Sequence, residues 1–336
     1  MDVLRPELLW VNGRCYRKNP ELSTDTSMGP VDEAPFIPVP DESGYEEEDF
    51  DVTERRNGEF CARLPVPPDF YSYIIGTKGT TRKRLETETH AHIKVPRAGQ
   101  GADIEVIGSN RSSVLSACRR VMMLSDTMRQ RTQFTHFLSF PINSEPVKKA
   151  FLQFKNPGKL HLTIGTLVLL DERERSIAAE ALQAAMSSVI RPLLEGKGLE
   201  IQVKGLEYLN DDPGEVDVLY AKVEPVSHDS NVLQDLADSL VAHFLHSGLM
   251  QKQHDRVKLH MTLMNTLFRI EEGAADSGVP GTGRNQRPRV SFDARPILQR
   301  FRDRELGRHM IQELHVSVRH STTPDGYYKA SAKVSL

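Results

Sequence analysis

A frame of the form Lys-Leu-His-apolar-Thr-apolar occurs twice in this 336-residue chain, as Lys159-Leu160-His161-Leu162-Thr163-Ile164 and as Lys258-Leu259-His260-Met261-Thr262-Leu263. An imidazole with an ordinary pKa of about 6.5 can take or give a proton near neutral pH. Two imidazoles set about one phosphodiester can divide the labour, one removing a proton from the attacking oxygen and the other protonating the leaving oxygen. A threonine hydroxyl beside each can donate a hydrogen bond to a nonbridging phosphoryl oxygen, where charge develops. Such chemistry needs no metal or cofactor. The candidate catalytic residues are therefore His161, Thr163, His260 and Thr262.

Each histidine is flanked by alternating apolar residues inside a run rich in Leu, Ile, Val and Thr, over residues 160–170 and 257–267. Both runs read as largely buried strands. In a strand, residues two apart share a face. His161 and Thr163 then point one way, as do His260 and Thr262, with Leu160, Leu162 and Ile164, and Leu259, Met261 and Leu263, turned to a core. The two halves of the site are expected to face each other across a cleft. His315-Val316-Ser317 and His320-Ser321-Thr322 match the bare pattern but lack the frame, so they are decoys.

Further elements must position these strands. Beyond residue 132 the pattern predicts a strand over 134–142, helices over 144–154 and 172–194, and strands over 199–209 and 216–223. A helix over 231–245 precedes the second histidine strand. A Gly-, Pro- and Arg-rich loop over 273–289, a helix near 296–301 and two closing strands over 314–318 and 327–334 complete the series.

The N-terminal part differs in composition. Between Asp32 and Glu54 stand ten acidic residues and no Lys or Arg, among Pro35, Pro38 and Pro40. A self-repelling segment that buries little reads as a disordered linker, here residues 21–56. Ahead of it, residues 1–20 hold the single tryptophan, Trp10, with Arg14 and Tyr16. They read as a docking motif for a protein partner, aromatic residues being frequent anchors at interfaces; a strand folding back on a later domain is the other reading. Net charge is −3 and the three cysteines, Cys15, Cys61 and Cys118, have no paired spacing. No disulfide framework or structural zinc site is expected. His90-Ala91-His92 lacks a third ligand. No stretch is apolar enough for a membrane span.

Residues 57–131 read as strand, helix, helix, strand, strand, helix, with Gly76-Thr77-Lys78-Gly79 between the first two helices and Arg82, Lys83 and Arg84 just beyond. Two glycines there let a sugar-phosphate backbone approach the main chain, and the helix N-terminus and Lys78 favour phosphate. With Ile74-Ile75 ahead of it, this stretch resembles a type I KH domain. The resemblance implies that Ile74, Ile75, Gly76, Thr77, Lys78, Gly79, Arg82, Lys83 and Arg84 clamp single-stranded RNA, or DNA.

The paired His-x-Thr motifs resemble those of the two-histidine phosphoesterase superfamily, over residues 132–336. This implies an α+β chain: a type I KH domain followed by a bilobal two-histidine phosphoesterase fold with a pseudo-twofold cleft. The order of docking motif, acidic linker, KH domain and phosphoesterase domain resembles a family of subunits of a nuclear, helicase-containing transcription-coactivator complex. Stretches such as Tyr208-Leu209-Asn210-Asp211-Asp212-Pro213-Gly214 carry the likeness. It implies residence in the nucleus, a helicase-containing partner complex reached through the N-terminal segment, and a part in the response to alkylation damage. The expected function is a metal-independent phosphodiesterase acting on RNA ends or 2′,3′-cyclic phosphates. The alternative is a non-catalytic adaptor that uses the cleft as a phosphate-binding pocket.

Overall fold

The computed structural model describes residues 50–97, 102–151, 157–226, 231–250, 254–266 and 290–336, with the backbone of 8–11 and 14–17. The chain divides into two compact units, Met1–Gly44 and Tyr45–Leu336. In the first, strands β1 (Leu8–Val11) and β2 (Arg14–Arg17) pair antiparallel, with Leu9 opposite Tyr16, Trp10 opposite Cys15 and Val11 opposite Arg14. Most of the acidic segment lies outside the described residues. Its end is not linker: Val52–Glu54 forms strand β3, and Phe50 and Val52 are buried. Apolar side chains at alternate positions, 50 and 52, give even this acidic stretch a face to bury.

The second unit begins with a four-stranded antiparallel sheet in the order β3-β4-β6-β5, where β4 is Phe60–Leu64, β5 Ala91–Lys94 and β6 Ile104–Gly108. Helices α1 (Tyr71–Ile75), α2 (Thr80–Thr89) and α3 (Arg111–Arg131) accompany it. Asn110 caps α3 by accepting a hydrogen bond from the Ser113 amide at 2.8 Å, as an N-cap should. Val114, Ala117, Cys118, Val121 and Met128 recur at helical spacing and are buried, so α3 turns one continuous apolar stripe inward.

The remainder forms an eight-stranded antiparallel sheet in the order β12-β9-β10-β11-β8-β7-β13-β14. Its strands are β7 (His136–Pro141), β8 (His161–Leu167), β9 (Leu199–Tyr208), β10 (Val218–Pro225), β11 (Met261–Asn265), β12 (Glu305–Ile311), β13 (Glu313–Val318) and β14 (Ala330–Ser335). Helices α4 (Glu145–Ala150), α5 (Glu172–Ala185), α6 (Arg191–Leu194), α7 (Val232–Leu245) and α8 (Arg295–Phe301) complete this part. The sheet reads as two four-strand halves joined at β8 and β11. Leu138, Phe140, Leu162, Leu219, Ala221 and Met261 point to a shared core with Leu236, Leu240 and Phe244 of α7. Strand β12 was not foreseen from the sequence, and the last strand starts at Ala330 rather than at 327.

One buried ion pair ties the two sheets together. Arg129, in the last turn of α3, meets Glu174, in the first turn of α5, and both side chains are over 90 % buried. Arg129 also donates to the Val168 carbonyl at 2.5 Å and lies 5.5 Å from the centre of the Phe70 ring. Glu174 accepts from the Leu170 amide at 2.8 Å, and its own amide donates to the N-cap carboxylate of Asp171 at 2.8 Å. Both charges sit at helix ends of favourable polarity. Removing one partner strands the other in a dry site. Arg129→Leu should therefore cost about 3–5 kcal/mol of stability, whereas Arg129→Leu with Glu174→Leu costs clearly less. Urea melts of the two proteins check this; equal losses would mean the pair is not the source.

Candidate active site and nucleic-acid interface

Across the central seam, Leu162 stands opposite Met261 in an antiparallel register. Continuing that register one residue each way sets His161 across from Thr262 and Thr163 across from His260. The four residues thus gather about one strand seam, with His260 near enough to His161 for its charge to be felt there. His161 opens β8 and His260 immediately precedes β11, so the two imidazoles come from the two inner strands of the four-strand halves. Beneath them Leu162 and Met261 are both 0 % exposed, so the alternation read from the sequence sorts core from chemistry.

The halves repeat each other in detail. Strand β7 pairs with β8 through Leu138–Gly165 and then Ser139–Thr163, skipping Ile164. Strand β10 pairs with β11 through Leu219–Met264 and then Tyr220–Thr262, skipping Leu263. In each half a bulge falls on the residue after the motif threonine. Bulges bend a strand and re-aim its side chains, and they concentrate beside functional sites.

Both imidazoles are held the same way. His161 Nδ1 lies 2.7 Å from the Lys159 carbonyl and His260 Nδ1 lies 2.6 Å from the Lys258 carbonyl. A carbonyl only accepts, so Nδ1 carries the hydrogen and Nε2 is left to exchange a proton. Their surroundings differ. Phe137 lies 5.0 Å from His161 between ring centroids, and Tyr328 presents an edge at 5.5 Å. This enclosure desolvates His161 and holds its pKa below the ordinary imidazole value, with the nearby His260 acting in the same sense. The Lys159 carbonyl opposes that shift without reversing it. His260 has Tyr220 at 5.4 Å, whose phenol donates to Glu207 at 2.9 Å.

Phe137, Tyr220, Tyr327 and Tyr328 were missed in the sequence, where no motif marks them. Tyr327 and Tyr328 belong to the connection from β13 to β14, and the Tyr327 hydroxyl reaches Ser139 Oγ at 3.3 Å. Burial pushes the Tyr327 phenol well above its usual range. The decoys are accounted for: His315 is buried, with Nε2 2.9 Å from Glu313, and His320 sits in a turn at φ 60°. Among the described residues no group of three or more His, Cys, Asp or Glu could hold a metal ion. His92 instead meets Glu86 at 2.8 Å.

In the first sheet, Gly76 and Gly79 have φ of 71° and 80°, and Lys78 between them has φ of 52°. A β-carbon on Gly76 would lie 2.3 Å from Thr81 Oγ1 and 2.8 Å from the Thr81 amide nitrogen. Thr77, Lys78, Lys83 and Arg84 are exposed, and Ile75, Gly76, Gly79 and Arg82 are half-buried. Ile74 corrects the reading from sequence. It is 0 % exposed and belongs to the core, because the first of two adjacent apolar residues on a one-turn helix faces inward. For Trp10, Arg14 and Tyr16 only the backbone of the β1–β2 pair is described.

Fold and site together define an α+β protein that joins a KH domain to a two-histidine, RNA-ligase-like domain. The KH domain family model matches residues 62–123, and that of the AKAP7 2′5′ RNA ligase-like domain matches residues 134–336. The chain is 37 % identical over 361 aligned positions to mouse activating signal cointegrator 1 complex subunit 1, with 100 % of both chains covered. It belongs to the family of activating signal cointegrator 1 complex subunit 1. The solution structure of the first type I KH domain of human vigilin is 23 % identical, covering 25 % of this chain and 88 % of that one, with a TM-score of 0.22.

Gly76→Ala combines a positive φ with a steric clash, and should cost roughly 1–3 kcal/mol. Thermal melts check this; an unchanged melting temperature would show that the turn tolerates a side chain.

Proposed function

We propose that this chain is a nucleic-acid-binding phosphodiesterase that acts on RNA ends or 2′,3′-cyclic phosphates without a metal. The observation that carries the reading is the pairing of the two His-x-Thr segments at the β8–β11 seam, where both imidazoles hold Nδ1 on a backbone carbonyl and leave Nε2 for proton exchange. His161, whose neutral form is favoured by its enclosure, takes the proton from the attacking oxygen through Nε2. His260, the more open of the two, delivers a proton to the leaving oxygen. Thr163 and Thr262 donate hydroxyl hydrogen bonds to the nonbridging oxygens. The turn at residues 76–79, with Lys83 and Arg84 exposed on the next helix, supports capture of a single strand of RNA or DNA.

Family membership supports a further step. We propose that the chain works in the nucleus as a subunit of a helicase-containing activating signal cointegrator complex, with roles in transcriptional coactivation and the alkylation-damage response. Trp10, Arg14 and Tyr16 are proposed to carry its docking.

Purified protein should convert short RNAs ending in a 2′,3′-cyclic phosphate in the presence of EDTA, beside controls ending in 3′-phosphate or 3′-hydroxyl. His161→Ala and His260→Ala should each lose about 10²–10⁴-fold in rate. No conversion by the intact protein, with RNA binding retained, would favour a phosphate-binding adaptor. The pH dependence follows from the direction of the His161 shift. The base is active when neutral, hence above its pKa, so the acid limb of kcat/KM should fall below the ordinary imidazole value of about 6.5. A limb above that value would place the base elsewhere. Lys78→Gln should weaken RNA binding and reduce the slope of log K against log salt by about 1, with the melting temperature unchanged. An unchanged slope would remove Lys78 from the phosphate contacts.

A further inference from the structure

The repeated frame begins with a lysine, and the two copies are engaged differently. Lys159 Nζ donates to the Ser321 carbonyl at 3.0 Å and to Thr322 Oγ1 at 2.7 Å, and lies 4.6 Å from the centre of the Tyr328 ring. It thereby latches the β13–β14 connection beside the first histidine. Close packing of the turn at Gly158 on Gly326 reinforces the latch, since a β-carbon on Gly158 would meet the Gly326 carbonyl oxygen at 3.3 Å.

Lys258 occupies the same place in the second copy, and its carbonyl accepts from His260 Nδ1, which fixes its backbone inside the site. Its side chain is exposed and has no partner among the described residues. Neighbouring cations of this half are neutralised: Arg256 by Asp238 at 3.2 Å and Asp235 at 3.9 Å, and Lys222 by Glu207 at 3.4 Å. His161 is thus enclosed by Phe137 and Tyr328, whereas His260, beside Tyr220, is more open and has the exposed ammonium of Lys258 two residues before it. A lone scissile phosphate is already served by the two histidines and two threonines, so an additional ammonium on the open side suits an additional anion.

We propose that Lys258 binds a second phosphate of the substrate, the one adjacent along the chain to the phosphate being cleaved, and so selects polynucleotide ends over mononucleotides. This rests on the phosphodiesterase reading above and names the substrate class of that same site. Lysine suits the task because a flexible point charge follows a phosphate whose position shifts with sequence.

The test compares uridine 2′,3′-cyclic phosphate with the same nucleotide carrying a 5′-phosphate, using the full chain. The intact protein should favour the 5′-phosphorylated substrate roughly tenfold in kcat/KM, mainly through KM, as one charge-assisted contact gives. Lys258→Gln should bring that ratio near one, whatever its effect on the rate with the unphosphorylated nucleotide. Lys258→Arg should restore the preference in part. Lys159→Gln should change both substrates alike, because its loss loosens the latch and not the second contact. A ratio that stays unchanged in Lys258→Gln, or is absent in the intact protein, overturns the proposal while leaving the phosphodiesterase reading in place. If the intact protein turns over neither nucleotide, that reading has failed, and calorimetric affinities for the same two nucleotides decide about Lys258. An affinity advantage of the 5′-phosphorylated one that is lost in Lys258→Gln supports the second contact, and no advantage overturns it.

Discussion

The pairing of β8 with β11 is the constraint on which this site depends. One contact, Leu162 against Met261, joins two four-strand halves into a single sheet, and both side chains are withdrawn from solvent. Because side chains alternate along a strand, the burial that secures the seam also decides that His161, Thr163, His260 and Thr262 share the opposite face. A slip of one residue would bury an imidazole and expose a leucine, so the hydrophobic effect enforces the register. The chemistry-bearing residues need no separate positioning device at the level of the strand. Stability and site geometry are the same fact viewed from two faces.

The finer alignment comes from hydrogen bonds that reach back two residues. Each imidazole gives its Nδ1 hydrogen to the carbonyl of the lysine that opens its own frame, which selects one tautomer and fixes the ring plane. This makes the repeated lysine position a structural part of both motifs through its main chain, and leaves its side chain at liberty to diverge. It has diverged: Lys159 holds the β13–β14 connection against Tyr328, while Lys258 remains in solvent. The fuller aromatic enclosure of His161 is what separates two histidines whose frames differ only in their apolar residues, Leu162 and Ile164 against Met261 and Leu263. Their surroundings differ because β7 places Phe137, and the connection to β14 places Tyr328, beside one of them.

Local signals in the sequence were sufficient for local structure. Alternation around each histidine identified its strand, although β11 begins only at Met261, just after His260; the two glycines at 76 and 79 marked a turn whose φ values do require them, and Asn110 stood at the start of α3. What went unread depends on contacts distant in sequence. The adjacency of β8 and β11 joins residues about a hundred positions apart, and nothing in either frame says that these two strands meet. Tyr327 and Tyr328 were assigned to a strand because aromatic residues favour strands; the latch from Lys159, more than 160 positions earlier, holds them in a connection instead. Strand β12 was overlooked because Glu305, Arg308 and Met310 alternate with Leu306, His309 and Ile311, and a buried histidine blurs the apolar pattern. Ile74 was placed with the nucleotide contacts on the strength of its motif, although a five-residue helix has only one inward face.

The Arg129–Glu174 pair is the least readable feature and the one with the widest structural reach. Arginine near a helix C-terminus and glutamate near a helix N-terminus are ordinary surface choices, each favoured by the helix dipole. Here the two helix ends are brought together, Phe70 covers the guanidinium, and the Val168 carbonyl and Leu170 amide satisfy the remaining hydrogen-bonding capacity. A pair so desolvated contributes little net stability over an apolar substitute, yet tolerates no loss of one member. What it supplies is directionality, since a guanidinium bonded on several sides admits one orientation where an apolar contact would admit many. Phe70 immediately precedes α1, which leads into the glycine turn, and Val168 immediately follows β8, which carries His161. The side chain of Arg129 therefore links the element that leads to the turn with the strand that carries the first histidine, through partners that leave little room for rotation between them.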